Sequence, residues 1–241
     1  MSSRGLLDSG GYALVSMKNM LSQIIRSSVL GIAALLALIF IPAGTLQYWQ
    51  GWAYVVIAIV ASGAYTLYLA RHDPALLKRR TEAGISYERE PAQKIIVFLL
   101  FVVCTALVVV SPLDFRFGWS SVPWYVSVIG DALVAFSFYI FYLVSKVNTY
   151  AAANVRVEEG QQVVSTGMYA LVRHPMYLGA LFLVIGTPFA LGSWWALLLV
   201  PLSVPVLYFR IANEEKVLMR GLPGYTEYTQ RVRYRLIPYI W

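Results

Sequence analysis

Cysteine occurs once in the 241 residues, as Cys104, and histidine twice, as His72 and His174. A single cysteine excludes an intrachain disulfide and any cysteine-rich zinc site. Two histidines far apart in sequence, with no third soft ligand, give no zinc pattern either. Charge is scarce: Asp, Glu, Lys and Arg together make up 13% of the chain, about half the share of a soluble domain. So few charges cannot build a water-facing surface around a composition that is 59% hydrophobic. Soluble enzymes, disordered tails and small secreted scaffolds are therefore excluded. Internal repeats and low-complexity segments are also lacking. No secretory leader is expected, because the first apolar run begins only near Val29 and leads to Pro42 rather than to a small-residue cleavage site.

What the chain has is apolar length, with a mean hydropathy of +0.65. A helix needs about 20 mostly apolar residues to cross hydrocarbon. Six runs qualify, at 28–46, 51–70, 94–112, 124–145, 176–192 and 193–211. The expected fold is an all-α polytopic membrane protein with about six transmembrane helices. Tyr48, Trp49 and Trp52 mark an interfacial turn after the first span. Only Leu191-Gly192-Ser193 joins the fifth span to the sixth, which predicts a tight antiparallel hairpin with Trp194 and Trp195 at the interface.

The net charge of +7 suits a membrane protein with basic loops facing anionic lipid better than a nucleic-acid binder. Every Lys and Arg except Arg116 falls in the N-terminal segment, the loops after spans two and four, or the C-terminal tail. Both termini and both long loops are thereby expected to be cytoplasmic. The organisation reads as N-terminal spans and a charged loop over 1–120, followed by a C-terminal half over 121–241 that carries the polar motifs. Residues 155–164 suggest a short β-hairpin around Glu158-Glu159-Gly160-Gln161. Residues 213–220 continue the last span as a helix, Gly221-Leu222-Pro223-Gly224 breaks it, and a second short helix follows at about 225–233.

Candidate chemistry gathers in two clusters. In the first, Thr166 to Gly179, Pro175 suits the first turn of a helix, which puts His174 at or beside its N-cap with Arg173 adjacent. The free N–H groups at such a terminus favour an anion. Taken alone, Arg173-His174-Pro175 is equally well read as a juxtamembrane cap. The second cluster is Asn213-Glu214-Glu215, just past the last span with Arg210 inside it. Paired carboxylates at a membrane exit need a cationic partner, either a basic side chain such as Lys216, Arg220 or Arg173 or a cationic ligand. The last hairpin brings the two clusters to one end of the bundle. Glu214 and Glu215 lie about 100° apart on a helix, so one is expected to pair with an arginine and the other to meet the ligand. Asp131, near the start of span four, reads as a cap or a partner of Arg116, and Cys104 as packing.

The stretches RHPMYLG (173–179), NEEKVL (213–218) and PGYTEYTQRV (223–232) together resemble the membrane methyltransferases of the isoprenylcysteine carboxyl methyltransferase and phospholipid N-methyltransferase kind. The resemblance covers residues 148–238. It implies an S-adenosylmethionine (SAM) pocket at the cytoplasmic ends of the last helices. Arg173, His174 and Glu215 are implied as catalytic residues. Tyr169, His174, Pro175, Tyr177, Gly179, Glu214, Glu215, Tyr225 and Tyr228 are implied to bind the cofactor. It implies no metal. The expected acceptor is lipidic or prenylated and carries a carboxylate or an amine, with the charged loop 71–94 and the first spans as the place of acceptor choice. A compact chain without a retention tail points to a bacterial inner membrane.

Two rivals remain in view. Tyr234-Arg235-Leu236-Ile237-Pro238 looks like the tail of NADPH-dependent sterol-type reductases. Against that, Pro-Met-Tyr after the histidine and the Glu-Glu pair depart from their pattern, and a phosphate-rich dinucleotide asks for more basic groups. A small transporter or structural membrane protein is the other. Transporters place polar groups at the midplane, whereas here they gather at one face.

Overall fold

The computed structural model describes residues 4–82, 84–88, 90–152, 154–155 and 157–241, with side chains described for Ser22 and from Ile24 onward. Arg89 and Arg156, and the side chains of Arg4 and Lys18, lie outside the described residues. The chain divides into two compact units, one up to Ala37 and one from Leu38 to Trp241. The first unit is the bulk of helix α1 (Arg4–Ala43).

The second unit holds the rest. Its long helices are α2 (Trp49–His72), α4 (Pro91–Phe117), α5 (Trp124–Ser145), α6 (Pro175–Ala190) and α8 (Ser203–Gly221). Short helices α3 (Pro74–Thr81), α7 (Trp194–Leu197) and α9 (Tyr225–Arg231) sit between and after them. Prolines open α3, α4 and α6, where the missing N–H costs nothing. Asp73 caps α3 by accepting from the Leu76 N–H at 2.9 Å. Gly118, in the left-handed region, ends α4.

Among the described residues five segments are long and apolar enough to span a bilayer: 24–43, 49–72, 91–117, 124–145 and 194–221. The chain is an integral membrane protein. The fifth expected span, α6, is only 16 residues, a rise of about 24 Å against a hydrocarbon thickness of about 30 Å. The expected hairpin is also modified. Its turn is tight, with the Ser193 N–H donating to the Pro188 carbonyl at 2.9 Å. Beyond the turn α6 packs mainly on α5 and α8 on α4, so the two arms do not pack along their length. The expected β-hairpin at 155–164 does not form; no strand occurs among its described residues. Only its turn survives, where the Gln161 N–H donates to the Glu158 carbonyl at 3.1 Å. Val157 and Val163 instead pack on Leu222, Tyr225 and Tyr228.

The α5–α6 contact sets the frame. A Cβ added to Gly130 would lie 2.0 Å from the Ala190 backbone nitrogen, and one on Gly179 would lie 2.7 Å from the Phe141 ring. Small residues let membrane helices approach where no hydrophobic drive separates protein from lipid. At the Trp-rich end, buried Asp114 accepts from the Ser193 hydroxyl at 2.6 Å and from the Ser120 N–H at 2.7 Å, and the Tyr48 hydroxyl donates to the Leu191 carbonyl. Asp131 is not paired with Arg116, whose guanidinium lies over the Phe117 ring at 5.5 Å and against Gly44.

This packing predicts that Gly130→Val lowers stability by about 1–3 kcal/mol or more. Gly63→Ala, with nothing within 4 Å of the added carbon, should be neutral or slightly stabilising. Thermal unfolding of the detergent-solubilised variants reads both; equal midpoints would show that α5 and α6 do not depend on this approach.

Candidate active site

His174 is the N-cap residue of α6, but its ring makes no cap hydrogen bond. The ring is turned toward α8, with Nε2 3.3 Å from Glu215 Oε1 and Nδ1 3.8 Å from Glu214 Oε1. The backbone N–H groups of Arg173 and His174 donate to the carbonyls of Tyr234 and Arg235, each at 2.9 Å. The start of α6 is thereby strapped to the C-terminal segment.

The two glutamates have separate fates, as the angular step between helix neighbours requires. Glu215 is 3% exposed and is surrounded by cations. Arg173 Nε donates to Oε1 at 2.6 Å, and Arg235 Nε donates to Oε2 at 2.8 Å. The other end of Arg173 donates to the carbonyls of Val232 and Arg233 at 2.9 and 3.0 Å. Glu215 thus joins α8, the mouth of α6 and the tail. Glu214 instead accepts from the Tyr177 hydroxyl and lines a cavity of about 340 Å³. Tyr177 in turn accepts from Arg210 Nε at 3.1 Å, and Arg210 pairs with Glu88 at 2.8 Å and donates to Gln93.

Of the residues expected from sequence, Tyr169, Arg173, His174, Pro175, Tyr177, Glu214, Tyr225 and Tyr228 line the cavity. Gly179 and Glu215 do not: Gly179 lies in the α5–α6 contact, and Glu215 lies behind the wall in its ion-pair hub. Tyr228 donates to the Tyr169 carbonyl at 2.7 Å, and Asn148 donates to the Tyr169 hydroxyl at 2.8 Å. Tyr225 is 4% exposed, yet its hydroxyl has no partner among the described residues. Burial raises all three phenols above their ordinary range, and the charges of Glu215 and Glu214 raise Tyr225 further. They remain protonated donors.

Sequence reasoning left out Arg80, Phe141, Asn148 and the apolar lining Val97, Leu100 and Leu207. For Arg80 a signal existed. Leu76 and Leu77, four and three residues earlier, are buried, so Arg80 lies on the inward face of α3. A roof over the cavity is hung from that helix. Arg79 Nε pairs with Glu158 at 2.7 Å and its NH1 donates to the Thr149 carbonyl at 3.1 Å, while Asn154 donates to the Glu82 carbonyl. Among the described residues no group of three His, Cys, Asp or Glu side chains comes together as a metal site.

Comparison with known proteins bears on the half that carries these residues. Residues 125–223 match the family described as phospholipid methyltransferase. The match bears out the resemblance to membrane methyltransferases and covers the motifs at 173–179 and 213–218, while the third begins at its last residue. The chain is also 33% identical over 85 residues to the Delta(14)-sterol reductase TM7SF2 of Mus musculus, over 34% of this chain and 20% of the reductase. The chain therefore spans about a fifth of the length of that curated relative.

Removing one partner of a buried ion pair costs about 3–5 kcal/mol, because the other charge is left unpaired. Glu215→Ala should therefore lower stability by about that amount and open the tail to proteolysis near Arg231 and Arg233, while Glu214→Ala should do neither. Thermal unfolding with limited trypsin digestion distinguishes them; a tail equally protected in both would remove Glu215 from its place as the fastening.

Proposed function

We propose that this protein is an integral-membrane methyltransferase that uses SAM and modifies a lipidic or prenylated acceptor at the cytoplasmic face. The observation that carries this reading is the cavity, where Glu214 and His174 of the matched segment meet Tyr169, Tyr225 and Tyr228 and the buried Tyr225 hydroxyl has no partner among the described residues. A buried hydroxyl without a partner costs free energy unless a ligand completes it.

The donor set fits the cofactor. Glu214 offers a carboxylate to an ammonium, and the faces of Tyr177, Tyr225 and Tyr228 suit a sulfonium. Tyr225 supplies the unspent hydroxyl, and the His174 end of α6 suits a carboxylate. When bound, SAM supplies an electrophilic methyl group on positively charged sulfur. The chain's own work is to hold the reactants in line and to exclude water, which supplies most of the acceleration in such a transfer. Arg173, Arg235 and Glu215 fix the start of α6 against α8, and Arg210 fixes Tyr177, so the cavity wall is held before anything binds. A carboxylate acceptor needs no general base. An amine acceptor must lose a proton, and His174 or Glu214 is placed to take it. The alternate-loop charge pattern puts this end of the bundle on the cytoplasmic side.

A second reading, an NADPH-dependent sterol-type reductase, is favoured by the partial likeness to TM7SF2. Arg173, Arg235 and Arg210 are already paired with Glu215 and Glu88, however; among the described residues Arg80 alone of the lining arginines meets no carboxylate, and Glu214 adds a carboxylate to the wall. That wall suits a cationic ligand better than a polyphosphate.

The test is thermal stability of the purified protein with SAM, S-adenosylhomocysteine and NADPH in parallel. A ligand at a hundredfold excess over its Kd stabilises by about 2.7 kcal/mol. SAM and S-adenosylhomocysteine should raise the midpoint, and Tyr225→Phe should weaken both about three- to tenfold without lowering the stability of the bare protein. Glu214→Gln should weaken them more. A shift with NADPH alone would move the protein to the reductases, and no shift with any of the three would favour a non-enzymatic membrane protein.

A further inference from the structure

The cavity has a second charged pole that the cofactor reading does not use. Arg80 reaches it from α3, in the N-terminal half of the chain. Its guanidinium lies 5.3 Å from the centre of the Tyr65 ring and 5.8 Å from that of Phe141. One terminal nitrogen donates to the Ala151 carbonyl at 2.9 Å and lies 4.0 Å from the Met176 sulfur. Among the described residues no carboxylate pairs with it. Arg79, Arg173, Arg210 and Arg235, by contrast, each meet a glutamate. Burial lowers the pKa of Arg80.

A guanidinium carries five N–H donors in a planar fork and stays charged in proteins. The fork of Arg80 is pinned at one nitrogen and flattened against aromatic rings, and its remaining donors have no protein acceptor among the described residues. The cavity lining thus carries charges of both signs. Adjacent residues of α6 serve them: Met176 touches Arg80, while Tyr177 holds Glu214. The lining also includes the apolar Val97 and Leu100 from α4, Ala180 from α6 and Leu207 from α8. A positive group fits the Glu214 pole, and a negative group on an apolar body fits the Arg80 pole.

We infer that Arg80 is the specificity-determining residue that reads an anionic head on the acceptor. This rests on the methyltransferase reading for the word acceptor, but the anion site can be tested without any cofactor. The full-length protein in a non-ionic maltoside detergent would be titrated with four chain-matched probes: dodecanoate, dodecyl phosphate, dodecanol and dodecyltrimethylammonium. Thermal stability gives the apparent affinities, and S-adenosylhomocysteine is titrated separately.

Dodecanoate or dodecyl phosphate should stabilise the wild type more than the alcohol and the cation do. The order of the two anions identifies which head is read. Arg80→Gln, which keeps a donor for the Ala151 carbonyl, should abolish that preference and weaken the better anion at least about tenfold, with S-adenosylhomocysteine unaffected. Arg80→Lys keeps the charge without the fork and should retain part of the preference. The inference is overturned if dodecanol stabilises as well as the better anion, or if the preference survives in Arg80→Gln. It is also overturned if Arg80→Gln weakens S-adenosylhomocysteine, which would assign the arginine to the cofactor. A wild type that gives no shift with S-adenosylhomocysteine would count against the methyltransferase reading, while the four probes would still decide for or against the anion site.

Discussion

A buried carboxylate needs cations around it, and in this protein Glu215 is where three parts of the chain are made to agree. Its oxygens draw Arg173 from the mouth of α6 and Arg235 from the tail, with His174 beside them. Arg173 spends its remaining donors on the carbonyls of residues 232 and 233. The C-terminal segment is therefore held by charge-assisted hydrogen bonds, and α9 with Tyr225 and Tyr228 is carried to the cavity as a result. Without that hub the cavity would lose one of its walls.

The hub also divides labour between neighbours. Glu215 is saturated by the protein, while Glu214 on the preceding helical step meets, among the described residues, Tyr177 and a more distant histidine. Arg210, at the edge of the cavity, is held by Glu88 and Gln93 and donates to Tyr177. The fixed cations are thus committed to structure, while the carboxylate facing the cavity remains able to meet a positive ligand.

Much of this was legible in the sequence because it rests on local pattern. Apolar length gave five of the six expected spans, Pro175 gave the start of α6, and the angle between Glu214 and Glu215 gave their different partners. What failed depended on partners distant in the chain. Val157 and Val163 alternate as a strand would, but their neighbours are Tyr225 and Tyr228, so their apolar surface goes to α9 and no ladder forms. The last two helices looked like one packed pair because their turn is short. Gly130, Gly179 and Gly186 instead let α5 take α6, and nothing near 191–193 records that. Arg80 was hidden as one of three successive basic residues that read as loop charge; only the two leucines before it show that its side of α3 turns inward.

The brevity of α6 has a further bearing on how a water-insoluble molecule could be processed. With its tryptophan end seated at one interface, a helix of 16 residues stops about 6 Å short of the opposite edge of the hydrocarbon. His174 and the cavity mouth then sit in a dimple beneath that edge, roofed by residues tied to α3. An amphiphile would reach such a dimple by sliding within its leaflet, with its tail still dissolved in lipid. The energetic barrier of pulling a long chain into water, about 0.8 kcal/mol for each methylene, would not arise.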